Sequence, residues 1–241
     1  MSPFASFFAD RTVVITGGSG GIGQGIGRAF AEAGAKVHAT GASEAEIAAA
    51  KANQPDFSYS VLNVRSDSEI RALAERFDRV DVLVNCAGVN LRAAEFTMDG
   101  FEAVLDINLT GTMRCATAFR DRLKGGAILN IGSVFSFFGA PHAPAYAASK
   151  GAVVSLTKSL AIAYAADPIR VNALAPGWIE TAMTAVPRAN PVRNAELMAR
   201  TPLGRWGTPA DLAPAALLLC SPLAGFITGA TLPVDGGYMA V

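Results

Sequence analysis

Tyr146 and Lys150 stand four residues apart in Tyr146-Ala-Ala-Ser-Lys150, the spacing that sets two side chains on one face of a helix. An unperturbed tyrosine titrates near pH ~10, too high for a base at neutral pH. A neighbouring ammonium favours the phenolate, so the pair would make Tyr146 a general acid or base, passing a proton to or from an oxygen. The plainer meaning of such a pair is a partly buried tyrosine beside a solvated lysine, and the motif alone does not choose.

A second stretch points to a phosphate. TGGSGGIGQGIG, Thr16 to Gly27, follows the β-branched run Thr12-Val13-Val14-Ile15 and precedes Ile22, Ile26, Ala29 and Phe30 at helical spacing. A flexible linker does not sit between a strand and a helix. A strand-to-helix turn leaves backbone N–H groups and the positive end of a helix dipole where a phosphate can bind. Two registers are possible. Gly18-Ser19-Gly20-Gly21-Ile22-Gly23 satisfies G-x-G-x-x-G, which calls for an acid roughly twenty residues on to hold ribose hydroxyls; Thr40, Gly41, Ala42 and Ser43 supply none, and Glu44 opens the next helix. Thr16-Gly17-x-x-x-Gly21-x-Gly23 is the other register. Gly25 and Gly27, inside the helix, predict close approach to the sheet or to a cofactor.

The elements that must carry these residues alternate along the chain. Strands are expected at Thr12–Ile15, Lys36–Ala39, Tyr59–Val64, Val80–Val84, Ala127–Ile131, Arg170–Leu174 and Thr231–Val234. Helices are expected from the glycine turn to about Ala33, and near Ala45–Asn53, Asp67–Phe77, Met98–Leu123, Ala145–Ala165 and Pro209–Cys220. This pattern predicts an α/β fold, a Rossmann-type doubly wound parallel sheet of about seven strands with helices on both faces. No Pro/Ser-rich linker and no repeat divides the chain, so residues 1–241 read as a single dinucleotide-binding and catalytic domain. The segment from about 177 to 209, rich in Pro, Arg and Thr, carries little periodicity except around Ala195–Ala199 and reads as a substrate lid.

Composition excludes other classes. Lys+Arg and Asp+Glu balance at 20 each, and 51% of residues are hydrophobic. Nothing there pulls the chain toward nucleic acid or an anionic membrane. Three cysteines without C-x-x-C spacing predict neither a disulfide framework nor a metal site. The N-terminus lacks a basic region and a long apolar run, and Ala213–Cys220 is too short to span a bilayer. A cytoplasmic location is the expectation.

In the second register the chain resembles the short-chain dehydrogenase/reductase family, in order and over nearly its full length. Asn85-Cys86-Ala87-Gly88 is similar to the family's N-N-A-G, Asn108 lies in D-I-N-L-T-G, Ser133 ends the fifth strand, and Tyr146 and Lys150 form Y-x-x-x-K. Pro176-Gly177-Trp178-Ile179-Glu180-Thr181 resembles P-G-x-x-x-T, and Ile227-Thr228-Gly229 with Val234-Asp235-Gly236-Gly237 closes the series. Replacement of the second Asn in N-N-A-G by Cys86 is a departure; its expected role is a small buried apolar residue. The resemblance implies an NAD(P)-dependent alcohol dehydrogenase or carbonyl reductase interconverting a secondary alcohol and a ketone. Tyr146 would be the general acid/base, Lys150 would also hold the nicotinamide ribose, Ser133 would bond the substrate oxygen and Asn108 would position a water in a proton relay.

The same resemblance implies the cofactor contacts: Thr16, Gly17, Ser19, Gly21, Ile22 and Gly23 at the pyrophosphate turn, Asn63 and Val64 by the adenine, Asn85, Ala87 and Gly88 by its ribose, Tyr146 and Lys150, and Pro176, Gly177, Ile179 and Thr181 toward the carboxamide. NAD-preferring members carry an acid where this chain has Gly41, and NADP-preferring ones a base at Gly20 or Ala42. With no acid to repel a 2′-phosphate, and Thr40 and Ser43 able to bond it, the choice leans to NADP.

Val134, Phe135, Phe137, Phe138, Pro141 and His142 line the expected substrate side, with Trp178 and Met183 closing from the lid; the aromatics read equally as an apolar pocket or as core. Arg92, Arg188 and Arg193 are candidate partners for an anionic substrate, or solvated arginines. The alternatives are a 3-oxoacyl-carrier-protein reductase, weakened by Gly125, Gly126, Asp167 and Pro168 where those enzymes carry arginines, and a non-catalytic nucleotide-binding regulator. The resemblance also implies a homotetramer pairing the two long helices.

Overall fold

Val13-Val14-Ile15 and Val82-Leu83-Val84 are apolar without alternation, as strands covered on both faces must be. The computed structural model describes residues 4–241; Met1–Pro3, part of the N-terminal segment expected to lack signal-peptide features, lie outside them. All strands are parallel: β1 (Thr12–Thr16), β2 (Lys36–Gly41), β3 (Ser58–Val61), β4 (Val82–Asn85), β5 (Ala127–Ile131), β6 (Arg170–Pro176) and β7 (Thr231–Val234), in the order β3-β2-β1-β4-β5-β6-β7. The chain moves outward from β1 on one side, then returns to β4 on the other. That reversal opens a crevice beyond the carboxyl ends of β1 and β4.

The helices are α1 (Ala5–Phe8), α2 (Gly21–Glu32), α3 (Glu44–Asn53), α4 (Asp67–Ala74), α5 (Met98–Leu105), α6 (Gly111–Phe119), α7 (Pro144–Ala163), α8 (Ala185–Ala189), α9 (Pro191–Ala199) and α10 (Pro209–Cys220). Val13 and Ile15 meet α2 and α10 through Ile26, Phe30, Leu212 and Ala216. Val14, between them, faces the opposite layer, where Ile70 of α4, Phe119 of α6 and Leu160 of α7 pack. Each such fully buried side chain contributes about 1.5–3 kcal/mol. Arg170 on β6 donates to the carbonyls of Leu219 (2.6 Å) and Ser221 (3.0 Å), satisfying the C-terminal end of α10.

The expected helix at Met98–Leu123 contains a π turn, Asp106–Thr110, between α5 and α6. Gly100, Val104, Asn108, Thr112 and Ala116 are all buried. Four-residue spacing drifts by about 40° per step around an α-helix; the wider turn takes up the drift and keeps the stripe facing inward. Gly25 faces Pro209 of α10 rather than the sheet or the turn, while Gly27 meets Phe57 and Ile15, each under 3.2 Å from where a Cβ would stand.

The segment 177–209 departs from the irregular loop expected. It holds a 3-10 turn at Ala182–Thr184 followed by α8 and α9. Pro187 inside α8 and Pro191 opening α9 disguised them, and Asn190 caps α9 by accepting from the Arg193 N–H. α1 also lacked a sequence signal; its Phe8 packs edge-on to Phe30 at 4.9 Å. Among the described residues no helix is long and apolar enough to cross a membrane.

Candidate active site

The glycine turn is shaped by contacts only glycine permits. Gly17 has φ +65° and Gly21 φ +52°. A Cβ on Gly17 would stand 2.7 Å from Ala87 Cα, and one on Gly23 would collide with the Gly17 carbonyl. Gly18, incidental to the second register, is also required, since a Cβ there would lie 2.8 Å from that of Ala39. Thr16 stitches β1 to β4: its hydroxyl accepts from the N–H groups of Cys86 (3.2 Å) and Ala87 (3.3 Å). The α2 N-terminus, with Gly20 at its cap, receives no side-chain cap, and Asn85 Oδ1 is buried without a partner. Open N–H groups beside an unused acceptor fit a dinucleotide.

Around the ribose end the structure alters the expectation. The Thr40 hydroxyl is buried and accepts from the Gly17 N–H at 3.4 Å; Ser43 caps α3 by accepting from Glu46 N–H. Sequence reasoning missed Glu46, whose Oε2 accepts from the Ala42 N–H (2.9 Å) and the Ser19 hydroxyl (3.2 Å), bridging the glycine turn and the end of β2. Ser43-Glu44-Ala45-Glu46 was its signal, a capping-box spacing. Asn63 Oδ1 accepts from Arg65 N–H in a local turn, and Val64 packs under Gly111. Cys86 is half-buried against the α2 layer.

Ser133, Tyr146 and Lys150 converge as expected. Ser133 follows β5; its hydroxyl accepts from the Phe135 N–H at 3.2 Å and lies close enough to the Tyr146 phenol to favour its ionised form. Lys150 Nζ lies 5.6 Å from the centre of the Tyr146 ring and donates to the Ile131 carbonyl at 2.7 Å. A Cβ on Gly88 would sit 3.2 Å from Asn108 Oδ1 and 3.6 Å from Lys150 Nζ, so the loop after β4 is wedged between them. The titration of the pair departs from the expectation. Burial pushes the phenol up to about 12, Cys86 and Glu95 add to the rise, and the Ser133 hydroxyl opposes it. Burial also pulls Lys150 down to about 8.

Asn108, 1% exposed, is spent on structure: its Oδ1 accepts from Val89 N–H (2.8 Å), and its Nδ2 donates to the Val89 carbonyl (2.9 Å) and the Ser149 hydroxyl (3.0 Å). It clamps the loop that carries Gly88. Thr181 reaches the turn, its Cγ2 3.3 Å from a Cβ built on Gly21, and Ile179 is buried below it. Gly177, just past Pro176 at the end of β6, donates to the Val234 carbonyl.

The substrate side divides in two. Phe135 lies edge-on to Tyr146 (6.4 Å), Trp178 (5.9 Å) and Phe138 (5.4 Å), forming an aromatic wall beside the Tyr146 phenol. Val134 is core, while Phe137, Pro141 and His142 are exposed. Arg92 donates to the Met183 carbonyl of the lid segment at 3.0 Å. Arg188 and Arg193 pair instead with Glu180 (3.1 Å) and Glu196 (2.9 Å). Glu95 is a second residue missed: 1% exposed, it accepts from the Tyr146 N–H at 2.9 Å. No local motif announces a carboxylate whose partners lie on another element.

A phosphate-binding turn on a doubly wound sheet, with a serine, tyrosine and lysine beside it, defines a nicotinamide-dependent oxidoreductase. The family model described as enoyl-(acyl carrier protein) reductase matches residues 17–239. The chain is 38% identical over 241 residues to the 2-dehydro-3-deoxy-D-gluconate 5-dehydrogenase of Bacillus subtilis (strain 168), covering 95% of each. It is also 38% identical to a 3-oxoacyl-[acyl-carrier-protein] reductase of Chlamydia pneumoniae, covering 94% of this chain and 96% of that one. The gluconate 5-dehydrogenase of Burkholderia cenocepacia J2315, solved with NADP and tartrate, superposes with a TM-score of 0.91 at 35% identity over 99% of both chains. The chain belongs to the short-chain dehydrogenase/reductase family. It is an NAD(P)-dependent oxidoreductase that interconverts a secondary alcohol and a ketone.

Proposed function

We propose that Tyr146 exchanges the proton with the reacting oxygen while Ser133 holds that oxygen, and that the substrate is a small polyhydroxylated acid. The observation that carries the proton transfer is the juxtaposition of Ser133, Tyr146 and Lys150, set beside the glycine turn through Gly88. When bound, the nicotinamide gives or takes the hydride and, oxidised, brings a positive ring charge that favours the phenolate. Lys150 would hold the nicotinamide ribose, Thr16, Gly17, Ser19, Gly21, Ile22 and Gly23 the pyrophosphate, Asn63, Val64, Asn85, Ala87 and Gly88 the adenosine side, and Pro176, Gly177, Ile179 and Thr181 the carboxamide. Asn108 supports the relay by fixing the Gly88 loop. Residues 177–209 close over the substrate as a lid of the one domain, 1–241.

The gluconate-type relatives support the substrate class, and Arg92 at the lid margin supplies a cation for a carboxylate. A 3-oxoacyl-carrier-protein reductase is the second reading, favoured by the chlamydial relative. Against it, Asp167 is already paired with Arg120 (2.7 Å) on a surface with Gly125 and Gly126 in place of arginines. The protein is proposed to be a cytoplasmic homotetramer; Met98 on α5 and Ile162 on α7 are 67% and 80% exposed, as faces awaiting a second copy would be.

NAD(P)H absorbance followed over sugar acids, polyols, simple ketones and an acyl thioester decides the substrate. Tyr146→Phe is expected to lower turnover about 10²–10⁴-fold with cofactor binding intact; near-wild-type turnover would remove Tyr146 from the mechanism.

A further inference from the structure

Glu95 is a buried acid that neither the fold nor the reaction scheme has yet required. It lies in the 3-10 turn Arg92–Phe96, between β4 and α5. Both carboxylate oxygens are held by backbone N–H groups: Oε1 accepts from Leu91 (2.8 Å) and Arg92 (3.2 Å), and Oε2 from Tyr146 (2.9 Å). Burying a carboxylate is costly unless such bonds compensate. A helix of the length of α7 is ordinarily capped from its own N-cap position, yet Ala143 there provides no side-chain acceptor. The acceptor comes instead from 51 residues upstream, and it takes the N–H of the reacting tyrosine.

The other end of the network is under strain. Arg92 has φ +52°, a left-handed conformation that non-glycine residues adopt at a cost. It is kept there by Glu95 Oε1 and Asn90 Oδ1 on its N–H, and its guanidinium reaches the Met183 carbonyl of the lid. One carboxylate thus ties Tyr146 to the loop after β4 and, through Arg92, to the lid.

We propose that Glu95 is a positioning residue for the proton transfer, its carboxylate locking the backbone of Tyr146 to the loop after β4. The inference rests on Tyr146 being the acid/base. Glu95 also sets a negative charge against the phenol. The other groups facing Tyr146 are the Cys86 thiol, held up at about 11 by burial, the Ser133 hydroxyl and the Lys150 ammonium. Of the groups that oppose the phenolate, Glu95 is the carboxylate.

Two variants separate reach from charge. Glu95→Gln removes the charge and leaves one acceptor oxygen, whereas Glu95→Asp keeps the charge but falls short of the Tyr146 N–H. With whichever alcohol the wild type oxidises, Glu95→Gln is expected to lower kcat about tenfold, leave cofactor Kd within about twofold, and move the rising limb of log kcat/KM to lower pH. Glu95→Asp is expected to lower kcat with the limb in place. Amide exchange at residues 144–147 should quicken in both, a readout independent of substrate. Unchanged kcat and an unmoved limb in both variants would overturn the proposal, as would loss of folding in both, which marks a purely structural acid. If Tyr146→Phe itself keeps its turnover, the underlying assignment fails instead.

Discussion

A carboxylate bridging Ser19 and Ala42 changes how the ribose side of the site works. Glu46 bridges the glycine turn and the end of β2, and in the proposed cofactor pose a negative charge there opposes a 2′-phosphate more than a hydroxyl. Glu46→Gln is therefore expected to raise kcat/KM for NADP relative to NAD by about five- to tenfold; an unchanged ratio would show that Glu46 only caps its helix. The half of the site built from glycines was legible in the sequence because each glycine answers to its immediate neighbours. Glu46 and Glu95 were not, because each takes part of its role from a distant group, the Ser19 hydroxyl for Glu46 and the Tyr146 N–H for Glu95, that the fold alone brings to it. The rise of the phenol was not legible for a related reason: four-residue spacing puts Lys150 near Tyr146 but says nothing of the burial that acts on both.

At the level of elements, β2 and β3 are joined by a buried histidine. His38 Nδ1 and Nε2 lie 2.8 and 2.9 Å from the hydroxyls of Ser58 and Ser60. Burial, with help from Arg76, lowers its pKa to about 4. The unfolded chain then binds more protons than the folded one between pH 6.5 and 4, so stability is present above that window and falls as pH drops through it. The loss is on the order of 3 kcal/mol. Urea unfolding at pH 7 and pH 4.5 should show a smaller pH effect in His38→Gln than in the wild type. A second test concerns α2 and α10: a Cβ at Gly25 would strike Pro209, whereas one at Gly20 meets nothing within 4 Å. Gly25→Ala is expected to cost about 1–2 kcal/mol net of the helix preference it gains, and Gly20→Ala little, as read from melting temperatures. The strands were legible because doubly covered apolar runs leave few alternatives. α8 was hidden because it is short, without a buried residue and interrupted by Pro187, while α9 showed only through the periodicity around Ala195–Ala199, where Leu197 is buried.

On the scale of the whole molecule, the chain's first strands build the cofactor half of the sheet and its later ones the catalytic half. The proposed homotetramer predicts a mass of four chains in solution; with Ile162 of α7 exposed, Ile162→Glu should lower that mass, and a monomeric wild type would refute the assembly. The contact of Thr181 with Gly21 joins the lid to the phosphate turn, across the sheet from where each begins. It follows by thermodynamic linkage that a dinucleotide spanning both would act as a brace. At a hundred times its Kd it would add about 2.7 kcal/mol to unfolding, and limited proteolysis would find the lid harder to cut before any substrate arrives. Loading the cofactor thus prepares the roof of the site as well as its floor.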